Sequence, residues 1–197
     1  MNITFGISMR YTSPLYYKEP SDSLSRSWHF LLSSLFPDCI VVPIPNIGRI
    51  NATRYVEHLG INRLILSGGE DFGTDAKRDE TENGLLDWAE DSNIPVLGIC
   101  RGMQIMAIRC GSELGQVKGH VKTRHCLSGV FTHTVNSYHN SIILDTPSGF
   151  DTLATSEDGS IEAIRHKGLP WEGWMWHPER EDVPSKHDLY NLERLFR

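Results

Sequence analysis

No apolar run in the sequence approaches the roughly 20 residues that a membrane-spanning helix needs; the longest, near Asp38–Ile44 and Ile94–Ile99, fall well short of it. Positive charge is scarce and scattered. With 19 Lys and Arg against 25 Asp and Glu the formal net charge is −6, and no basic run supplies the concentrated patch that nucleic acid or an anionic membrane surface requires. The N-terminal Met-Asn-Ile-Thr-Phe-Gly-Ile-Ser lacks the basic stretch and cleavage site of a signal peptide, so a cytoplasmic location is expected. Cysteine is sparse as well. Cys39, Cys100, Cys110 and Cys126 match no metal-binding spacing, and with no mark of export they are expected to be free thiols. Low hydrophobicity and extreme charge, which would signal disorder, are missing too: 39% of the residues are hydrophobic and 22% charged. The 197 residues suit one domain, 1–197, with one substantial core.

What is present is an alternation of short apolar runs with helical patterns, the mark of an α/β domain with a mostly parallel sheet. Strands are expected at Ile3–Ser8, Cys39–Pro43, Arg63–Leu66 and Pro95–Ile99. Helices are expected at Leu24–Leu35, Asn51–Leu59, Ala76–Asp91 and Arg101–Ile108. A polar, aromatic loop with Pro14 and Pro20 separates the first strand from the first helix, and Leu85, Leu86 and Trp88 form the expected buried side of Ala76–Asp91. Beyond Val117 the sequence reads as strands and loops, with strands at Val130–Val135, Ser141–Leu144, Ile161–His166 and Gly173–Trp176. Lys186–Phe196 is a last amphipathic helix.

Gly98-Ile99-Cys100-Arg101-Gly102 fits the pattern Gly-x-nucleophile-x-Gly between a buried strand and a helix. Such a turn forces the nucleophile into a strained conformation, and glycine on either side removes the Cβ atoms that would clash there. The start of the next helix carries partial positive charge and free N–H groups that favour negative charge on a sulfur or an oxyanion. Taken alone, the pentapeptide also fits a buried structural cysteine beside two incidental glycines. A second apolar strand runs into Gly68-Gly69, whose backbone suits the other half of an oxyanion hole, although a plain tight turn explains that pair too.

A cysteine nucleophile needs a base nearby in space. Among nine histidines, His177 stands out in Trp176-His177-Pro178-Glu179. Pro178 restricts His177 to extended conformations, and a two-residue offset in an extended segment points His177 and Glu179 to the same side. A carboxylate so placed would fix the imidazole tautomer and stabilise the imidazolium. His120 and His125 lie in a polar stretch with Cys126, but their spacing is not a zinc pattern and no metal site is expected. His29, His58, His166 and His187 have no partner in view.

Ser67-Gly68-Gly69-Glu70-Asp71, Gly98-Ile99-Cys100-Arg101-Gly102-Met103-Gln104 and Trp176-His177-Pro178-Glu179, in this order, resemble the class I glutamine amidotransferase superfamily over nearly the whole chain. The resemblance implies a flavodoxin-like α/β fold, a Cys100–His177–Glu179 triad and a glutamyl thioester, with neither metal nor cofactor. The details look closer to the γ-glutamyl hydrolase branch than to ammonia-donating subunits of synthetases: Asp71, Arg101 and Val135-Asn136-Ser137-Tyr138-His139-Asn140 look like the hydrolases that cleave γ-glutamyl-γ-aminobutyrate. Carried over by position, Gln104, Ser137, Tyr138, His139 and Asn140 would hold the glutamyl α-amino and α-carboxylate groups, and the Gly69 and Arg101 amides would form the oxyanion hole. The chain is shorter than γ-glutamyl-γ-aminobutyrate hydrolases. Its length, the opening Gly6-Ile7-Ser8-Met9-Arg10 and Ile161-Glu162-Ala163 look more like small hydrolases of bacterial surface-polysaccharide pathways that act on γ-glutamyl-CDP-amidate. Arg10, at the C-terminal end of the first strand, would then meet phosphates, or else is an ordinary loop arginine. A γ-aminobutyrate-type hydrolase, a glutaminase subunit feeding a synthetase, a related cysteine peptidase and a degenerate binding protein remain as alternatives. The expected partner is a small-molecule γ-glutamyl amide, not nucleic acid or membrane, with a homodimer or a transient pathway partner left open.

Overall fold

The computed structural model describes residues 3–13, 16 and 19–197; Met1, Asn2 and the Pro14 part of the expected loop lie outside these. Strand β1 (Thr4–Ser8) is followed by a hairpin of β2 (Arg10–Thr12) and β3 (Ser21–Ser23), where only loop was expected. Then come α1 (Ser27–Leu35), β4 (Ile40–Ile44), α2 (Arg49–His58), β5 (Arg63–Leu66), α3 (Ala76–Asp91), β6 (Val96–Ile99) and α4 (Arg101–Arg109). The second half is strand-rich, with β7 (Leu114–Gln116), β8 (Val121–Cys126), β9 (Ser128–Gly129), β10 (Thr134–Tyr138) and β11 (Ser141–Ile143). It continues through β12 (Phe150–Thr155), β13 (Ile161–His166) and β14 (Trp171–Trp174) to a 3-10 turn at Pro178–Arg180 and helix α5 (Lys186–Phe196).

One sheet of eight strands, ordered β4, β1, β5, β6, β14, β13, β12, β9, forms the centre. The run from β4 to β14 is parallel throughout, and β13, β12 and β9 extend it antiparallel. This is the mostly parallel α/β architecture expected. Successive side chains of a strand point to opposite faces, so Leu64 and Leu66 of β5 enter one core and Ile65 the other. Helices α2, α3 and α4 cover the first face through Val56, Leu85, Leu86 and Met103, whereas α1 and α5 cover the second through Trp28, Leu32, Leu192 and Phe196. No helix among the described residues is long and apolar enough to cross a membrane.

Apart from the β2–β3 hairpin, the first half of the chain matches its sequence pattern within a few residues at element ends, but the second half departs from it. The strand expected at Val130–Val135 lies at Thr134–Tyr138, the one expected at Gly173–Trp176 ends at Trp174, and β7, β8, β9 and β12 had no counterpart. Both β8 and β10 belong to a separate two-stranded ribbon. Exposed at successive residues on both faces, and with Lys122, Arg124 and His125 along it, β8 carries no alternating apolar signal.

Candidate active site

Four neighbouring strands of the sheet, β1, β5, β6 and β14, bring Ser8, Ser67, Cys100 and the segment after Trp174 to one edge, the carboxyl end of the parallel strands where open α/β sheets bind ligands. Cys100 has φ 51° and ψ −104°, the strained left-handed side of the backbone map for a residue with a Cβ. Its N–H donates to the Trp174 carbonyl at 2.7 Å and its carbonyl accepts from Gln104 N–H at 3.0 Å, so the turn is held by β14 on one side and by α4 on the other. A Cβ at Gly102 would overlap the Leu66 carbonyl, which explains why the first turn of α4 can sit directly on β5.

His177 is buried beside this sulfur, and a Cβ on Gly68 would collide with its ring. Its Nδ1 lies 2.7 Å from Glu179 Oε1. The two side chains meet by a different route from the one expected: residues 178–180 form a 3-10 turn rather than an extended segment, and the turn swings Glu179 back onto the imidazole. Burial by itself would lower the His177 pKa, but the Glu179 charge and hydrogen bonds with Cys100 and Glu179 outweigh it and raise the value to about 9. The pair therefore favours an imidazolium next to the sulfur.

A clamp that sequence reasoning left out of the site holds the histidine backbone. The amide of Asn136 accepts from His177 N–H at 2.9 Å and donates to the His177 carbonyl at 2.8 Å, while also donating to Glu181 Oε1. Asn136 stood inside the quoted motif, but nothing local distinguishes it from Ser137 or Asn140.

The second group missed is ionic. Arg78, Glu82 and Arg101 are fully or almost fully buried. Glu82 accepts from Arg78 Nε at 3.0 Å and from Ser8 Oγ at 2.7 Å, and pairs with Arg101, which also pairs with Asp79. Arg78 reaches on to the Ser67 carbonyl at 2.8 Å and to Glu70 at 2.8 Å. Burial would raise the Glu82 carboxyl pKa, but the Arg78 and Arg101 charges hold it below its ordinary value. The network thereby ties the Gly68-Gly69 loop to the first residue of α4. With the Arg101 side chain committed inward, its backbone amide is the part left beside the sulfur. Glu82 does carry a signal: it falls on the same helical stripe as Leu85, Leu86 and Ala89, where a lone carboxylate requires a buried partner.

Two cavities meet at the Cys100–His177 pair. One, of about 330 Å³, has Gly69, Glu70, Cys100, Gln104, Tyr138, His139, Asn140 and Ser141 in its lining. The other, of about 260 Å³, is lined by Arg10, Ser67, Gly68, His177, Glu179 and Arg180. The segment 137–140 alternates in role. Tyr138 and Asn140 are exposed at the first cavity, whereas the buried Ser137 hydroxyl donates to the His120 carbonyl at 2.6 Å and the His139 ring nitrogens face Ser141 O and His120. Ser137 and His139 thus have protein partners, while His139 also lines the first cavity. Gln104 Nε2 likewise donates to Ser141 O at 3.0 Å, leaving its oxygen for the cavity. Arg10 Nε donates to Ser23 Oγ at 3.1 Å in the unforeseen hairpin, and the Arg180 guanidinium lies 4.7 Å over the Tyr138 ring.

The nucleophile turn, the imidazole–carboxylate pair and their place on the sheet define a class, and sequence comparison agrees: the chain belongs to the glutamine amidotransferase class-I family, whose model matches residues 21–195. It is a cysteine-dependent amide hydrolase of the glutamine amidotransferase type. Among individual proteins it is 32% identical over 184 residues, 90% of each chain, to the gamma-glutamyl-CDP-amidate hydrolase of Campylobacter jejuni subsp. jejuni serotype O:2. It is also 34% identical over 157 residues, 75% of this chain and 78% of the relative, to anthranilate synthase component 2 of Thermococcus kodakarensis. The crystal structure of a glutamine amidotransferase from Thermotoga maritima superposes with a TM-score of 0.67 over 91% of this chain and 77% of its own, at 14% identity, a likeness of fold.

Proposed function

We propose that this chain, as a single cytoplasmic domain, hydrolyses γ-glutamyl-CDP-amidate to glutamate and cytidine diphosphoramidate, for capsular polysaccharide phosphoramidate biosynthesis. The observation that carries the reading is the pair of unlike cavities on either side of the Cys100–His177 pair. The first holds a glutamyl group between Gly69, Gln104, Tyr138 and Asn140. The second presents the guanidinium groups of Arg10 and Arg180 where a leaving group would lie, and such groups suit a diphosphate. The Campylobacter relative, similar along nearly its full length, supports the same substrate.

In the proposed mechanism the proton of Cys100 already rests on His177, and the sulfur of this imidazolium–thiolate pair attacks the γ-carbonyl, with the Gly69 and Arg101 amides stabilising the oxyanion. The C–N bond breaks as His177 returns the proton to the departing nitrogen. Water, deprotonated by the same imidazole, then cleaves the thioester to release glutamate and restore the thiol. Glu179 keeps the imidazole oriented throughout.

Mass-spectrometric assay of γ-glutamyl-CDP-amidate, γ-glutamyl-γ-aminobutyrate and glutamine tests the reading. The CDP-amidate should be turned over at the highest kcat/KM, and Cys100→Ala should abolish turnover. Arg10→Ala should raise KM for the CDP-amidate without changing it for glutamine, and Arg180→Ala should raise it more for the CDP-amidate than for glutamine, because Arg180 also packs over Tyr138 of the glutamyl cavity. A preference for the γ-aminobutyrate amide would instead make the chain a hydrolase of that type. The second reading, a glutaminase subunit feeding ammonia to a synthetase, is favoured by the likeness to anthranilate synthase component 2. It predicts glutamine as the preferred substrate and a rate that rises when a partner is added.

A further inference from the structure

Next to the first cavity, which it touches through His139, lies a group of side chains that the proposed reaction does not use. His120, His125, His139 and Glu162 offer ligand atoms that all lie within 4.8 Å of one another. Glu162 is completely buried, yet neither carboxylate oxygen has a hydrogen-bond partner, and His125 Nε2 is a buried atom in the same condition. A buried carboxylate left so is costly, and the cost falls when a cation is at hand.

The distances favour a metal over a hydrogen-bonded cluster. His120 Nδ1 and His139 Nε2 are 3.4 Å apart, and Glu162 Oε1 is 3.6 Å from the first and 3.5 Å from the second. The two contacts to the carboxylate are too long for hydrogen bonds. They match the edge of a tetrahedron whose centre is bonded at zinc–nitrogen and zinc–oxygen lengths, about 3.3 Å. The outward nitrogens are oriented as in metal-bound imidazoles: His120 Nε2 lies 2.9 Å from Asp158 Oδ2 and His139 Nδ1 3.1 Å from Ser141 O. Asp158 is itself held by Ser156 Oγ and Ser160 N–H.

We infer that His120 Nδ1, His125 Nε2, His139 Nε2 and Glu162 form a binding site for a divalent transition-metal ion, with zinc the best match to three imidazoles and one carboxylate. Four protein ligands complete a tetrahedral sphere, which gives the ion a structural role. It cross-links the β8–β10 ribbon, which has no strand in the main sheet, to β13 beside the strand that leads to His177.

The test uses the full chain with Cys100→Ala, so that the nucleophile cannot serve as a ligand. After chelator treatment and re-equilibration with Zn2+, elemental mass spectrometry should find one zinc per chain. The thermal unfolding midpoint should fall on stripping and return with zinc, and Co2+ should give the visible absorption of a tetrahedral site. His125→Ala and Glu162→Gln in this background should lose the bound ion and the cobalt spectrum, and Asp158→Asn should weaken binding about 10- to 100-fold. If Glu162→Gln does not fold, the half-buried His125→Ala decides, with circular dichroism confirming its fold. Absence of stoichiometric metal in the Cys100→Ala chain overturns the inference, and so does a full zinc complement in folded His125→Ala.

Discussion

At the scale of single residues, the chemistry of the site depends on how His177 is held. Its pKa of about 9 reflects the Glu179 charge and the hydrogen bonds with Cys100 and Glu179 prevailing over burial. The imidazolium therefore persists across neutral pH and is lost as pH rises through about 9, so kcat/KM should fall on an alkaline limb near that value. Glu179→Gln removes a charge that raises this pKa; the limb should move toward neutral pH and the maximal rate should drop, both readable from pH–rate profiles. Asn136 acts on the same ring by gripping both backbone groups of His177. Asn136→Ala should lower kcat by about 10- to 100-fold, since displacing a catalytic group by about 1 Å costs on that order, with a smaller change in KM. Cys100, His177 and Glu179, which the fold brings together, could be singled out in the sequence because each role proposed for them requires a residue type in a local pattern. Asn136 could not, because its role is a distance across the fold.

At the scale of elements, α3 and α4 are coupled through Glu82 lying between two guanidinium groups. Glu82→Ala would leave Arg78 with Glu70 and Arg101 with Asp79 as their remaining carboxylates and strip the buried Arg78 Nε and Ser8 Oγ of their acceptor, a loss of about 1–3 kcal/mol by denaturant unfolding. Gly102→Ala drives a methyl group into the Leu66 carbonyl and should cost about 1–3 kcal/mol while displacing the nucleophile turn. Strands of the parallel core were legible because burial on both faces makes them continuous apolar runs. The hairpin of β2 and β3 and the ribbon of β8 and β10 were not, since short wet strands have little apolar contrast with loops. The 3-10 turn at Pro178–Arg180 was hidden for another reason: a proline after His177 is as compatible with a turn start as with a strand.

At the scale of the whole molecule, the parallel strands carry four loops to one edge, and acid should loosen what holds those loops together. Glu82 has a folded-state pKa below its ordinary 4.5, so its contribution to stability is complete above that value and is lost as pH falls below it. Asp79, raised by burial against the opposing pull of Arg101, works in the contrary direction and only softens the slope. Denaturant midpoints measured as a function of pH should decline below about 4.5, and Glu82→Gln should flatten that decline. The sequence alone determined the α/β class and the family and singled out Cys100, His177 and Glu179 as candidates, because hydrophobic periodicity and strand–turn–helix motifs are properties of adjacent residues. Tertiary structure decided which side chains share a cavity, that Ser137 and His139 turn inward, that Arg10 and Arg180 stand beside the same imidazole, and that His120, His125 and His139 converge on Glu162. Those are relations between residues tens of positions apart, and they exist only once the strands are in register.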